Sequence, residues 1–197
     1  MPAAQRDNGE MLDRLFAVFR DRGYDGASLA DIAQATGLGR SSLYHHFPGG
    51  KSQMAAEVLD RGAAWIEREI AEVVDGAGAP ADKAGRIAAA LDALYAGGRN
   101  LCLLGQLAAG TARGEHADRL RTTFARWIDS LARLAALDGA PADEARIWGE
   151  DIVARIQGAL ILSTATGSSD AFERALADLA GTLPGAARRA GGSAAAV

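Results

Sequence analysis

Four polar side chains that can form hydrogen bonds fall within one short segment: Arg40, Ser41, Tyr44 and His45. On a helix, residues three and four positions apart share a face, so these groups can point outward together while Leu43 points inward. A guanidinium, hydroxyls and an imidazole in this arrangement can form hydrogen bonds with a bound molecule. The segment therefore predicts recognition by hydrogen bonding, without any covalent chemistry.

A helix and a tight turn precede this segment and would position it. Ser28 is a residue type that caps a helix N-terminus, and Leu29, Ile32 and Ala33 then form one apolar face. Gly37 falls where the chain must reverse, and glycine reaches a positive φ at little cost. Helix, turn and second helix are the outline of a helix-turn-helix, whose second helix enters the major groove of DNA. The alternative is an ordinary corner between two helices.

Residues 10–59 resemble the DNA-binding domain of the tetracycline-repressor (TetR) family. The resemblance is carried by the runs Ser28-Leu29-Ala30-Asp31-Ile32-Ala33, Gly37-Leu38 and Arg40-Ser41-Ser42-Leu43-Tyr44-His45-His46-Phe47, and by Lys51. It implies that the four side chains named above face the major groove, and that Ser28, Ser42 and Lys51 contact phosphates. It also implies a homodimer that binds double-stranded operator DNA and that a small apolar effector controls.

Two features depart from the commonest form of that family. Gly39 stands where a Ser or Thr usually caps the second helix, and glycine caps only slightly less well. The turn Pro48-Gly49-Gly50 carries one extra residue. With it, the HFPGGK sequence resembles a subgroup whose members often repress drug-efflux or detoxification genes.

Composition and periodicity predict an all-α protein. Apolar residues make up 49% of the 197 residues, and isoleucine and valine never alternate with polar residues over the length of a strand. We expect an N-terminal three-helix helix-turn-helix domain at residues 1–50. A C-terminal helical bundle for ligand binding and dimerisation is expected at residues 51–185. The Ala- and Gly-rich residues 186–197 are expected to form a disordered tail.

The composition also limits the compartment and the partners. A single cysteine excludes an internal disulfide framework. The chain has neither an apolar run of the ~18 residues that a membrane span needs nor the features of a signal peptide. We therefore expect a cytoplasmic protein with no membrane partner. Residues 1–51 hold six basic and six acidic side chains, which implies modest non-specific affinity for DNA.

The penultimate helix predicts a contact with a second chain. No charged residue occurs from Ile156 to Ser169, and a helix without a polar face must be buried on nearly every side. A core helix of a monomer is the alternative. The resemblance favours a four-helix dimer interface built from the last two helices and their symmetry mates. The residues expected there are Ile156, Ala159, Leu160, Ser163, Phe172, Leu176 and Leu179.

Large aromatic side chains in the middle of the chain suggest a chamber for an apolar effector. A cavity of this kind needs apolar walls and a few polar groups. For each aromatic residue, ordinary core packing is the simpler explanation. The candidates for the pocket are Trp65, Tyr95, Cys102, Gln106, Phe124, Trp127, Trp148 and Gln157.

Other classes of function find less support in the sequence. A repressor that senses electrophiles or oxidants would use Cys102, which precedes a short helix; a small buried residue is the alternative. An enzyme is not expected, because His45 and His46 point about 100° apart on a helix and no phosphate loop or other catalytic motif is present. No catalytic residue, cofactor or metal is predicted. A dimeric small-molecule binding protein that has lost DNA binding remains open, although Arg40, Tyr44 and Lys51 are retained.

Overall fold

The computed structural model describes the backbone of residues 3–185 and the side chains of residues 9–185. Within these residues all regular secondary structure is helical, which confirms the predicted all-α class. The predicted tail at residues 186–197 lies outside the described residues. The elements in chain order are α1 (Ala3–Gly26), α2 (Leu29–Thr36), α3 (Arg40–His46), α4 (Gly50–Ile66), a π-helical turn (Glu67–Ala71), α5 (Glu72–Asp75), α6 (Pro80–Tyr95), α7 (Leu103–Ala109), α8 (Ala112–Leu137), α9 (Ala142–Thr166) and α10 (Asp170–Gly181).

One compact unit, called unit 1 below, comprises residues 3–64 and 101–122. Helix α1 packs against both α2 and α7. The largest side chains in its core are at most 1% exposed and come from α1 to α4: Leu15, Phe19, Ile32, Leu43, Phe47, Met54 and Leu59. By compactness, residues 51–64 and 101–122 group with the first three helices. The sequence-based boundary after residue 50 stays a prediction.

The second compact unit, unit 2, comprises residues 65–100 and 123–185. Helix α10 packs against α6 and α9. Tyr95 and Phe172 meet edge to face, with ring centroids 5.9 Å apart. Gly98 has a φ of 83°, and a Cβ placed there would lie 3.0 Å from the Phe172 side chain. Both the backbone conformation and the close approach therefore favour glycine at this turn.

Helices α8 and α9 form a tightly packed hairpin within unit 2. A Cβ at Gly149 would lie 2.8 Å from the Ile128 carbonyl oxygen and 3.1 Å from the Ala132 nitrogen. No side chain fits at that distance, so the two backbones touch here only because residue 149 is glycine. This contact fixes the register of α9 along α8.

The helix that begins at Gly50 continues to Asp75 through the single π-helical turn. Its last turn is held by Lys83, a buried side chain whose ammonium donates to the Val74 carbonyl at 2.7 Å. A cation at a helix C-terminus is favourable because the terminal carbonyls carry partial negative charge. None of the helices within residues 3–185 carries an apolar stretch long enough to cross a lipid bilayer.

Candidate nucleic-acid interface

A complete capping box fixes the start of α2. The Ser28 hydroxyl accepts a hydrogen bond from the Asp31 backbone N–H at 3.1 Å, and the Asp31 carboxylate accepts from the Ser28 backbone N–H at 3.0 Å. Hydrogen bonds from the Ser28 hydroxyl and N–H, with the Arg22 guanidinium 3.1 Å away, lower the pKa of Asp31. Ser28, which was predicted to contact a phosphate, is exposed and acts as the N-cap in this structure.

The turn between α2 and α3 follows the predicted chemistry. Gly37 has a φ of 72°, and its N–H donates to the Ala33 carbonyl at 3.0 Å, which ends α2. The buried Thr36 hydroxyl donates to the Ile32 carbonyl at 2.7 Å. Gly39 takes the N-cap position of α3 and supplies no side-chain acceptor. The turn therefore orients α3 through backbone geometry and a buried hydroxyl.

Helix α3 presents its polar side chains outward. Leu43 and Phe47 are 1% exposed and anchor the helix to the core of unit 1. Tyr44 is 50% exposed. The other polar side chains of α3 are exposed as well: Arg40, Ser41, Ser42, His45 and His46. The structure thus brings the predicted base-facing residues and Ser42 together on one short, rigidly anchored helix.

Lys51, for which a phosphate contact stays a prediction, binds backbone carbonyls within the chain. Its ammonium donates to the Tyr24 carbonyl at 2.8 Å and the Ala27 carbonyl at 3.0 Å, and it lies 4.5 Å from the centroid of the Tyr24 ring. Two of its three donors are therefore occupied by the chain that follows the Gly23 break in α1. In this conformation Lys51 joins α4 to the connection before α2.

A carboxylate joins α1 to the start of α8. Asp25 accepts hydrogen bonds from the Thr111 hydroxyl and from the Thr111 N–H, the latter at 2.9 Å. These two bonds, with a smaller contribution from the charge of Lys51, lower the pKa of Asp25. A Cβ at Gly110 would lie 2.8 Å from the Asp25 carboxylate. Glycine at that position therefore admits the carboxylate.

A second polar connection joins α4 to α8. The Ser52 hydroxyl donates to the Glu115 carboxylate, and the His116 Nε2 atom lies 3.4 Å from the same hydroxyl oxygen. His116 is 6% exposed, and its φ of −111° interrupts the helical geometry of α8. Burial, followed by the nearby charges of Glu115 and Asp25, raises the pKa of Tyr24.

These connections were not predicted from the sequence. Asp25 and Thr111 are 86 residues apart, and Ser52 and Glu115 are 63 residues apart. No local spacing carries a signal for such pairs. They tie residues 101–122 to the helix-turn-helix and help to fix its shape.

Comparisons with known proteins were made for the whole chain. A model of bacterial regulatory proteins of the tetR family matches residues 11–58, and a model of the C-terminal domain of LmrA/YxaF-like transcriptional regulators matches residues 97–178. The chain belongs to the TetR family. It is a helix-turn-helix transcriptional regulator, not an enzyme.

Some relatives of this TetR-family chain match most of its length and others match only part of it. An uncharacterized HTH-type transcriptional regulator of Mycobacterium tuberculosis is 28% identical over 162 residues, which cover 74% of this chain and 78% of that protein. The HTH-type transcriptional repressor KstR2 of Mycolicibacterium smegmatis is 38% identical over 82 residues, 42% of this chain and 38% of that protein. The structure of a CifR cysteine mutant with operator DNA has a TM-score of 0.69 at 24% identity and covers 93% of this chain and 98% of that one.

The predicted pocket residues of the TetR-family chain divide between the two units. Cys102 and Gln106 belong to unit 1, where Cys102 is 5% exposed at the N-cap of α7. The others belong to unit 2: Trp65, Tyr95, Phe124, Trp127, Trp148 and Gln157. Within unit 2, Phe124 and Trp127 stack with ring centroids 6.4 Å apart. Among the described side chains, no cluster of three His, Cys, Asp or Glu residues is able to hold a metal ion.

The residues predicted at the dimer interface pack inside the single chain. Six of them are at most 6% exposed: Ile156, Ala159, Leu160, Ser163, Phe172 and Leu179. Leu176 is half-buried. The large apolar side chains that α9 exposes lie elsewhere on the helix, at Ile147, Ile161 and Leu162, with exposures of 59%, 62% and 54%. In the single chain α9 therefore exposes a different set of apolar residues from those named for the interface, and the interface residues stay a prediction.

Proposed function

We propose that this TetR-family protein is a homodimeric repressor that binds a pseudo-palindromic operator and releases it when a small apolar effector binds. The observation that carries the proposal is the exposed polar surface of α3, anchored by Leu43 and Phe47. Arg40 suits bidentate hydrogen bonding to guanine, and the hydroxyl of Tyr44 and the ring of His45 supply further hydrogen-bonding groups. Two relatives support repression through an operator: KstR2 is named a transcriptional repressor, and a CifR mutant forms a complex with operator DNA.

A dimer is part of the proposal because α9 exposes an apolar surface. Steps of seven, four and three residues place Ile147, Ala154, Gly158 and Ile161 along one side of α9, with Leu162 beside them. Exposed apolar patches on soluble proteins mark interaction sites. Ala154 and Gly158 are small, so a second helix can approach closely. A two-fold symmetric dimer would carry two copies of α3, one for each half-site of a pseudo-palindromic operator.

Effector control follows from the two-state behaviour that such a dimer allows. A ligand that binds one conformation of the dimer better than the other shifts the population by that difference in affinity alone. An advantage of a few kcal/mol for a non-binding conformation is enough to release DNA. The buried aromatic side chains of unit 2 support an apolar effector.

The experiment that tests the proposed function uses the full chain and the DNA flanking its coding region. Footprinting should reveal an inverted repeat, protected in two successive major grooves on one side of the duplex. If the protein sediments as a monomer and protects only one half-site, the proposed dimer is contradicted. Absence of any protected sequence would contradict the repressor.

A further inference from the structure

Three buried hydrogen-bond donors of unit 2 have no partner among the described residues: the indole N–H of Trp127, the amide group of Gln157 and the hydroxyl of Ser163. Trp127 is 1% exposed, and its indole Nε1–H has no partner. The Nε2 amide group of Gln157 is likewise buried and unpaired. Roughly nine in ten buried polar groups in proteins are hydrogen-bonded, so three unpaired donors in one small unit need an explanation.

Trp148 shows that an indole N–H without an acceptor is not general for the tryptophans of unit 2. Its indole Nε1–H donates to the Thr182 hydroxyl at 3.3 Å. Trp127 therefore differs from Trp148 in lacking an acceptor, while both belong to the same hairpin of α8 and α9.

The hairpin places two of these donors, Trp127 and Gln157, at neighbouring levels along its axis, and Ser163 lies about 9 Å farther along α9. The contact at Gly149 sets that residue level with the stretch between Ile128 and Ala132. From this level, α8 is followed back to Trp127 and α9 forward to Gln157, which is the same direction in space because the helices are antiparallel. At a rise of about 1.5 Å per residue, the two residues lie roughly 7 to 8 Å apart along the hairpin axis. Phe124, which stacks with Trp127, falls between these two levels.

The arginines of this hairpin that belong to unit 2 are paired with carboxylates. They are exposed or half-exposed and form ion pairs, at Arg126 with Glu67, Arg133 with Asp75, Arg146 with Asp129 and Glu150, and Arg155 with Asp178. The unpaired donors are neutral, and the adjoining wall is aromatic. This combination suits a neutral acceptor oxygen on an apolar body better than a carboxylate, whose desolvation would require a buried cation.

We propose that the α8–α9 hairpin binds a flat apolar molecule with a carbonyl oxygen, a ketone or an ester, that accepts hydrogen bonds from Trp127 and Gln157. This inference rests on the proposed function, because it names the chemical class of the effector. Phe124 provides a face for the apolar body. The specificity resides in the carbonyl, since a site built around unpaired donors discriminates strongly against an analogue that lacks the acceptor.

The probes are 9-fluorenone and fluorene, which share one shape and differ in the carbonyl group. With 15N-labelled protein, the indole N–H signals are assigned from Trp65→Phe, Trp127→Phe and Trp148→Phe. Fluorenone should move the Trp127 signal downfield, as expected for a new hydrogen bond, and fluorene should not. The Trp148 signal, whose N–H is already bound, should keep its position with both probes.

Affinities of variants provide the second measurement. Trp127→Phe and Gln157→Leu should each weaken fluorenone binding about tenfold and leave fluorene binding unchanged. Trp148→Phe is the matched control and should alter neither. The inference is overturned if fluorenone and fluorene bind equally, if neither binds, or if Trp148→Phe weakens fluorenone binding as much as Trp127→Phe.

Operator binding separates this inference from the proposed function. If fluorenone binds as described but the protein protects no DNA sequence, the proposed function fails and the carbonyl site stands. If the protein protects an operator but the Trp127 signal responds alike to fluorenone and fluorene, the carbonyl site is refuted and the proposed repressor stands.

Discussion

The two compact units of this chain are each stabilised by a different set of interactions. Unit 1 combines an apolar core with polar connections between distant segments, such as Asp25 with Thr111 and Ser52 with Glu115. Unit 2 relies on close helix packing at Gly98 and Gly149. It also exposes apolar side chains and buries unpaired donors. Unit 1 is therefore stabilised by contacts within the chain, whereas the exposed apolar side chains and unpaired donors of unit 2 are the features on which the proposed dimer and effector site rest.

The largest effect should come from charging the buried side of α9. Leu160 is 1% exposed and Ile161 is 62% exposed, although they are neighbours. Leu160→Arg buries an unpaired charge and should cost about 3–5 kcal/mol of folding free energy. Ile161→Arg should leave the subunit folded but monomeric. Circular dichroism and sedimentation velocity distinguish the two outcomes. A dimeric Ile161→Arg would refute the proposed surface.

Packing at Gly149 provides the next test. Gly149→Ala forces α8 and α9 apart, because the new Cβ would lie 2.8 Å from a backbone oxygen. We expect a loss of about 2 kcal/mol in the free energy of unfolding, measured by urea denaturation. Gly85→Ala is the matched control: its site on α6 is exposed, with no atom near the added Cβ, and it should gain about 0.5–1 kcal/mol. Equal effects at both sites would contradict the packing argument.

Local geometry explains how much of this architecture the sequence predicts. The Ser28 cap, the Gly37 turn and the outward side of α3 depend on residues within a few positions of each other, and all three appear in the structure. The polar connections of unit 1 join residues more than 60 positions apart, so no local pattern indicates them. From Ile156 to Ser169 no charge marks a polar side of α9. Periodicity therefore cannot tell which side meets the core.

The connection between Asp25 and Thr111 is sensitive to pH. Because these hydrogen bonds lower the pKa of Asp25 in the folded state, they contribute stability above the unfolded pKa of about 4 and lose it as the pH falls through the folded value. Asp25→Asn should lower the melting temperature at pH 7, and this difference should vanish in acid. Asp21→Asn is the control, because the ion pair that Asp21 forms among the described side chains is with the adjacent Arg20. A pH-independent difference would contradict the assigned cause.

Cys102 should give the smallest effect. The residue is 5% exposed, so Cys102→Ser removes the thiol without altering an accessible surface. We expect operator binding and effector release to stay unchanged in gel-shift assays. Peroxide or a quinone that releases DNA from the wild-type protein but not from Cys102→Ser, with reversal by a thiol reductant, would instead favour the thiol-sensing repressor.

The most direct test of the account replaces the guanidinium of α3. Arg40→Ala and the control Arg86→Ala, an exposed arginine of α6, are titrated against operator and scrambled DNA at several salt concentrations. Arg40→Ala should cost about 1–3 kcal/mol on the operator and relax specificity at one base step, whereas Arg86→Ala should bind both sequences as the wild type does. If Arg40→Ala binds both sequences like the wild type, α3 does not read the operator as we propose.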